Sequence, residues 1–135
     1  KNIGIGEWEI LKLQKHICIL AVGSMIDECQ NAIKDLNHLD ITLINCRFVK
    51  PIDKKMLNEL ILNHETFFTF EEGIISGGFG SSISEYFQKN DISKKVFING
   101  INDQFTEHAS RKELLNDLNL NSVSIYKLIN SYKYE

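Results

Sequence analysis

The run HICILAVGS, residues 16 to 24, constrains the fold more than any other part of this sequence. From His16 to Val22 the chain is almost continuously apolar, as a strand covered on both faces must be. Gly23 closes the run, and Ser24 is placed to cap a helix with Asp27 in its first turn. Ile26, Cys29, Ala32, Ile33 and Leu36 then recur at helical spacing on one face. A strand hidden on both sides and followed at once by an amphipathic helix belongs in a parallel sheet with helices packed on its faces.

The same alternation repeats down the chain. Ile41 to Cys46 reads as a strand, and Pro51 with Asp53 announces a helix carrying Met56, Leu57, Leu60 and Ile61. TFFTFEE, Thr66 to Glu72, is a third buried strand of aromatic and β-branched residues. Ile83, Tyr86 and Phe87 mark another helix, and Val96 to Asn99 a short strand. Ser110 and Glu113 form a capping box for the segment ASRKELLNDL, and a last helix runs from about Ser122 to Tyr132. Ahead of them all, Glu7 to Leu13 alternates polar and apolar residues, as an edge strand exposed on one side does. A short turn joins it to the run at His16, so those two strands are expected to pair antiparallel. The expected fold is α/β: a three-layer α/β/α domain with a mostly parallel five-stranded sheet and one antiparallel edge strand. No internal repeat, linker or low-complexity stretch divides the 135 residues, which are expected to form a single domain.

Composition narrows the function classes. The formal net charge is −3, which argues against a dedicated nucleic-acid binder. No signal peptide or apolar stretch of about 20 residues is present, so no membrane partner is expected. Cys18, Cys29 and Cys46 are odd in number, lack C-x-x-C spacing and fall in apolar segments. They read as reduced, buried thiols and not as a zinc site or disulfide framework. Arg47 and Arg111 are the only arginines among fifteen basic residues, and Asn, Ile and Lys are abundant. That bias suits an AT-rich genome. The opening KNIGIGEWEI reads as if cut from something longer.

EEGIISGGFGSS, residues 71 to 82, lies where ligands bind in such sheets, beyond the carboxyl end of a strand. The phosphate motifs nevertheless fail. Gly73 and Gly78 have P-loop spacing, but Phe79 stands where the phosphate-reaching lysine belongs. Gly78 and Gly80 begin a dinucleotide fingerprint, but Ile83 replaces its third glycine, and Glu71 and Glu72 would repel a phosphate. Glycines that allow positive φ and close backbone approach are the simpler reading. Adjacent strand residues point to opposite faces, so Glu71 and Glu72 do not readily share a proton. A solvated strand end or an anchor for the next helix is expected of them, ahead of an acid or base.

His16, His38 and His64 flank predicted strands or helix ends and are expected to be exposed boundary residues. His108 sits in NDQFTEHAS with Asp103 and Glu107 nearby. A nucleophilic triad with Ser110 fails, because that serine is engaged in its cap and no G-x-S-x-G elbow exists. The spacing of the two acids and the histidine matches no strong metal signature. No complete catalytic, cofactor or metal site assembles from these residues.

Three stretches together carry a resemblance that runs nearly end to end: RFVKPID (Arg47 to Asp53), EEGIISGGFGSSISEY (Glu71 to Tyr86) and INDQFTEHASRKELLNDLNL (Ile101 to Leu120). In order and spacing the chain resembles the transketolase-type C-terminal domain of 1-deoxy-D-xylulose 5-phosphate synthases. Asn102 stands where that family often has proline, and Ala109 where it often has glycine. The resemblance implies a whole enzyme that condenses pyruvate with glyceraldehyde 3-phosphate, with loss of carbon dioxide, in the non-mevalonate route to isoprenoids. It implies thiamine diphosphate and Mg2+ held by other domains, so this chain alone is expected to bind neither and to be inert. The expected partners are the remaining domains of the same chain and a second copy in a homodimer. Glu72, Gly77, Gly78, Gly80, Ser81, Asp103 and His108 become candidates for a loop that packs domains and subunits together. The implied location is the apicoplast-type plastid of a protist with an AT-rich genome, or the bacterial cytoplasm. The corresponding domain of a 2-oxo acid dehydrogenase β subunit or of a transketolase, and a stand-alone ligand-binding regulatory module, are the alternatives.

Overall fold

A computed structural model of the chain describes residues 6–47, 52–74, 78–101 and 120–132. In chain order they form β1 (Glu9–Lys12), β2 (His16–Ala21), α1 (Met25–Ile33), β3 (Ile41–Asn45), α2 (Lys54–Asn63), β4 (His64–Ile74), α3 (Phe79–Lys89), β5 (Lys95–Ile101) and α4 (Ser122–Ser131). The five strands make one sheet in the order β1-β3-β2-β4-β5. Every pairing is parallel except that of β1 with β3. This is the mostly parallel three-layer domain that the alternation of strands and helices requires. The predicted capping-box segment ASRKELLNDL, 109–118, lies outside the described residues.

The apolar run at His16 is the central strand. Ile19 pairs with Leu43 on one side and Phe68 on the other. Side-chain parity then sorts the core into two layers. Ile17, Ile19 and Ala21 join Phe68 and Phe70 under α1 and α4, where Met25, Cys29, Ile125 and Ile129 are buried. Cys18 and Leu20 join Phe67 under α2 and α3, with Leu57, Leu60, Phe79, Ile83 and Phe87. Cys18, Cys29 and Cys46 are buried free thiols, and burial raises the pKa of each.

One expectation fails in detail. β1 does not form a hairpin with β2, because both edges of β2 are taken by β3 and β4. It reaches past β2 to the outer edge of β3, pairing Glu9 with Asn45 and Ile10 with Ile44. The connection makes a tight turn at His16, whose φ is 71°, closed by Ile17 N–H donating to the Lys15 carbonyl at 2.8 Å. A left-handed backbone at a non-glycine residue costs about 1–3 kcal/mol. Gln14 anchors this turn: its side-chain Oε1 accepts from Ile41 N–H at 2.8 Å, while its backbone N–H donates to Thr42 Oγ1 at 2.8 Å.

Candidate functional site

The carboxyl ends of β2, β3 and β4 bring together Gly23 and Ser24, Arg47, and the pair Glu71–Glu72. Gly23 has φ 59°, so it supplies a left-handed turn between β2 and α1. Ser24 stands at the N-cap of α1 but makes no side-chain capping bond. Its Oγ donates instead to Glu72 Oε2, across from β2 to β4. Arg47 is paired with Glu9 of β1 at 3.1 Å.

Glu71 faces the other side of the sheet and is 5% exposed. Its Oε1 accepts from Phe79 N–H at 2.9 Å and its Oε2 from Gly80 N–H at 2.7 Å. These are the first two residues of α3, whose orphan donors and positive dipole end would otherwise face the low-dielectric core. The carboxylate therefore occupies the helix N-terminus where a phosphate would bind. Glu71 is the helix anchor that the strand-end carboxylates were expected to provide, and Glu72 is tied to Ser24.

The glycines of the loop differ from one another. Gly78, the N-cap of α3, is extended at φ −88° and ψ −169°, so no left-handed turn requires it. Gly80 is required by close approach: a Cβ there would stand 2.6 Å from Ile98 Cγ2 and 2.6 Å from Thr69 Oγ1. Its missing side chain lets the first turn of α3 settle onto β4 and β5. Ser81 follows in that turn, half-buried. Gly77, Asp103 and His108 lie outside the described residues.

Two further positions matter that residue type alone did not single out. Asp53, the last residue of RFVKPID, caps α2 through Oδ1, which accepts from Met56 N–H at 3.0 Å. Its Oδ2 accepts from Trp8 N–H at 2.9 Å, so one carboxylate fixes both α2 and the lead into β1. Trp8 is buried edge-on against Phe79, with ring centroids 5.8 Å apart. A capping aspartate three residues before Met56 was the available signal; its second bond to Trp8 was not visible in local spacing.

The second is His64, expected at the surface but only 1% exposed. It follows α2 without a loop and opens β4. Its Nδ1 lies 2.6 Å from the Leu60 carbonyl and its Nε2 2.7 Å from Thr42 Oγ1. Burial lowers its pKa below the ordinary imidazole value; the carbonyls of Leu60 and Gln14 oppose this, and His16 and Lys94 reinforce it. His16 and His38 are the boundary residues expected, half-buried and exposed.

Chemically, the carboxylates and the histidine resolved at the sheet ends hold backbone and side-chain groups of this chain in place. The helix start at the glycine loop is filled by Glu71, and among the described residues no three His, Cys, Asp or Glu cluster as metal ligands. An open depression of about 810 Å3 on the surface between α2 and α3 is lined by Lys54, Ser82, Tyr86, Lys89 and their neighbours. No helix among the described residues is long and apolar enough to cross a membrane.

Comparison with known proteins places this geometry. The family model described as "Transketolase, C-terminal domain" matches residues 6–125. A 1-deoxy-D-xylulose-5-phosphate synthase of Psychromonas ingrahamii is 38% identical, over 97% of this chain and 21% of that protein. Proteins of the same name from Clostridium tetani and Aquifex aeolicus are 38% and 37% identical, over 94% and 96% of this chain and 21% of each. A solved structure described as "Split gene transketolase, inactive beta4 tetramer" matches with a TM-score of 0.85 at 26% identity, over 96% of this chain and 43% of that one. The chain thus spans about a fifth of the length of the curated relatives it matches.

Proposed function

Because the chain belongs to the transketolase C-terminal domain family, we propose that it is the C-terminal, non-catalytic domain of a 1-deoxy-D-xylulose-5-phosphate synthase. The observation that carries this reading is the match to synthases of that name along almost the whole chain, at 37–38% identity in the three relatives above. The complete enzyme condenses pyruvate with glyceraldehyde 3-phosphate and releases carbon dioxide. Thiamine diphosphate, with Mg2+, supplies the nucleophilic carbon for that reaction and is held by other domains. The geometry at the strand ends supports a supporting role, since Glu71, Glu72 and Ser24 are engaged in fixing helices.

In this reading the loop around Gly77, Gly78 and Ser81, together with Glu72, Asp103 and His108, forms a docking surface for the rest of the chain and a second copy, while Gly80, buried against Ile98 and Thr69, seats that loop on the sheet. The bacterial relatives support the bacterial cytoplasm as its location, and the lysine- and asparagine-rich composition supports the plastid alternative. The full-length protein containing this chain should release carbon dioxide from pyruvate only when glyceraldehyde 3-phosphate is supplied. Transfer of a two-carbon unit from a ketose phosphate without carbon dioxide release would assign it to transketolase instead. Residues 1–135 alone should show no stoichiometric uptake of thiamine diphosphate with Mg2+ by calorimetry; micromolar binding would place cofactor ligands on this chain.

A further inference from the structure

The amino-terminal edge of the sheet, opposite the end with the glycine loop, carries a one-directional chain of hydrogen bonds through His64. The Leu60 carbonyl only accepts, so the ring proton sits on Nδ1 and the lone pair on Nε2. Nε2 must then accept from the Thr42 hydroxyl, whose oxygen in turn accepts from Gln14 N–H. Gln14 closes the chain by accepting from Ile41 N–H through Oε1. Four pieces of the fold meet in it: the β1–β2 connection, the start of β3, the last turn of α2 and the first residue of β4.

We infer that His64 is an acid-weakened latch: a proton taken up at Nε2 removes the acceptor of the Thr42 hydroxyl, buries a charge and loosens the hold of the sheet on the β1–β2 turn. With Nε2 protonated, the contact with Thr42 reverses, so that its oxygen and the Gln14 carbonyl act as acceptors, while the hydroxyl proton loses its own acceptor and a charge enters a buried site. The surrounding charges add to this. His16 stands opposite His64 in the β2–β4 register, and Lys94 approaches from the lead into β5. The nearby carboxylates are already paired, Asp40 with His16 at 4.0 Å and Glu65 with Lys94 at 3.1 Å. The turn to be loosened is under strain at His16, with φ 71°, and Gln14 holds it down. The folded ring is a weaker base than the unfolded one. The latch is therefore fully effective above the unfolded imidazole value of about 6.5 and weakens as pH falls from there toward the lower folded value.

The test is hydrogen exchange measured by mass spectrometry on the full-length protein between pH 7.5 and 5.0, corrected for intrinsic exchange. Peptides containing Ile17, Ile41 and Thr42 should lose protection by up to about tenfold per pH unit below about 6.5, while the middle of β2 and β4 holds. In His64→Gln, which keeps an acceptor where Nε2 lies but takes up no proton, that pH response should vanish. Should this variant not fold, ring nitrogen spectra of histidine-labelled wild type decide alone: one neutral histidine should carry its proton on Nδ1 and lose that state on acidification with the protection. Flat protection in the wild type, an equal acid response in His64→Gln, or a His64 proton on Nε2 at neutral pH would overturn the latch.

Discussion

Glu71 and Glu72 are neighbours in β4, yet each ties the strand to a helix segment on the opposite face of the sheet. Glu71 takes the first two backbone N–H groups of α3, and Glu72 takes the hydroxyl of Ser24 at the start of α1. Strand parity is the cause: Phe67 and Glu71 point to the α2–α3 layer, Phe68 and Phe70 to the α1–α4 layer with Glu72. Two carboxylates that look like an acid pair in sequence are thus separated by the thickness of the sheet.

Their replacement should have unequal effects. Glu71→Ala leaves two buried N–H groups without an acceptor, each costing about 1–3 kcal/mol, so a loss of about 2–4 kcal/mol is expected. Glu72→Gln keeps an acceptor for Ser24 at a less buried place and should cost under about 1 kcal/mol. Urea unfolding of both variants measures the difference. A Glu72→Gln loss equal to that of Glu71→Ala would contradict the assignment of Glu71 as the principal anchor.

Gly23 and Gly80 should both resist alanine, for different reasons. At Gly23 a Cβ meets nothing within 4 Å, but φ is 59°, so Gly23→Ala should cost about 1–2 kcal/mol from the backbone alone. At Gly80 the backbone is helical, and the cost comes from Ile98 and Thr69, both 2.6 Å from the added carbon. Overpacking of that kind costs about 1–3 kcal/mol. Trimming the neighbour separates the two: Ile98→Ala should make Gly80→Ala less damaging and leave the Gly23→Ala loss unchanged, as read by a double-mutant cycle.

The strand–helix alternation was legible because burial on two faces leaves a residue pattern that survives without any tertiary information. HICILAV had to be a covered strand, and it is the central one. What was not legible depends on partners distant in sequence. β1 looked like half of a hairpin because its turn to β2 is short, yet strand order decided its pairing. Ser24 looked like a cap, but its hydroxyl is turned to Glu72, forty-eight residues away. His64 looked like a boundary residue because nothing local announces that Thr42 and the Leu60 carbonyl will enclose it. The candidate loop site rests on motif resemblance, and Gly77, Asp103 and His108 lie outside the described residues.

Ile19 offers the check on the central strand. It is fully buried in the α1–α4 layer and flanked by Leu43 and Phe68. Ile19→Ala should lower unfolding free energy by about 2–5 kcal/mol, through lost burial and the cavity left behind. A loss below about 0.5 kcal/mol in denaturant unfolding would remove β2 from the centre of the sheet.

Thr42 and Thr69 are both completely buried in strands, and replacing each with valine should act in opposite directions. The Thr42 hydroxyl joins Gln14 N–H to His64 Nε2, so Thr42→Val leaves a donor and an acceptor buried without partners. A loss of about 2–4 kcal/mol is expected, with each orphaned group costing about 1–3. Among the described residues the Thr69 hydroxyl oxygen has no hydrogen-bond partner, and it sits against Gly80 of α3. Thr69→Val removes an unsatisfied polar atom while keeping a branched side chain of nearly the same shape. It should be neutral or stabilising by up to about 1 kcal/mol, the methyl group's tighter fit against Gly80 offsetting part of the gain. Thermal and urea unfolding of the two variants side by side provide the measurement. A Thr69→Val variant destabilised as much as Thr42→Val would mean that the Thr69 hydroxyl has a partner, such as a buried water, and that the contact between α3 and β4 is polar.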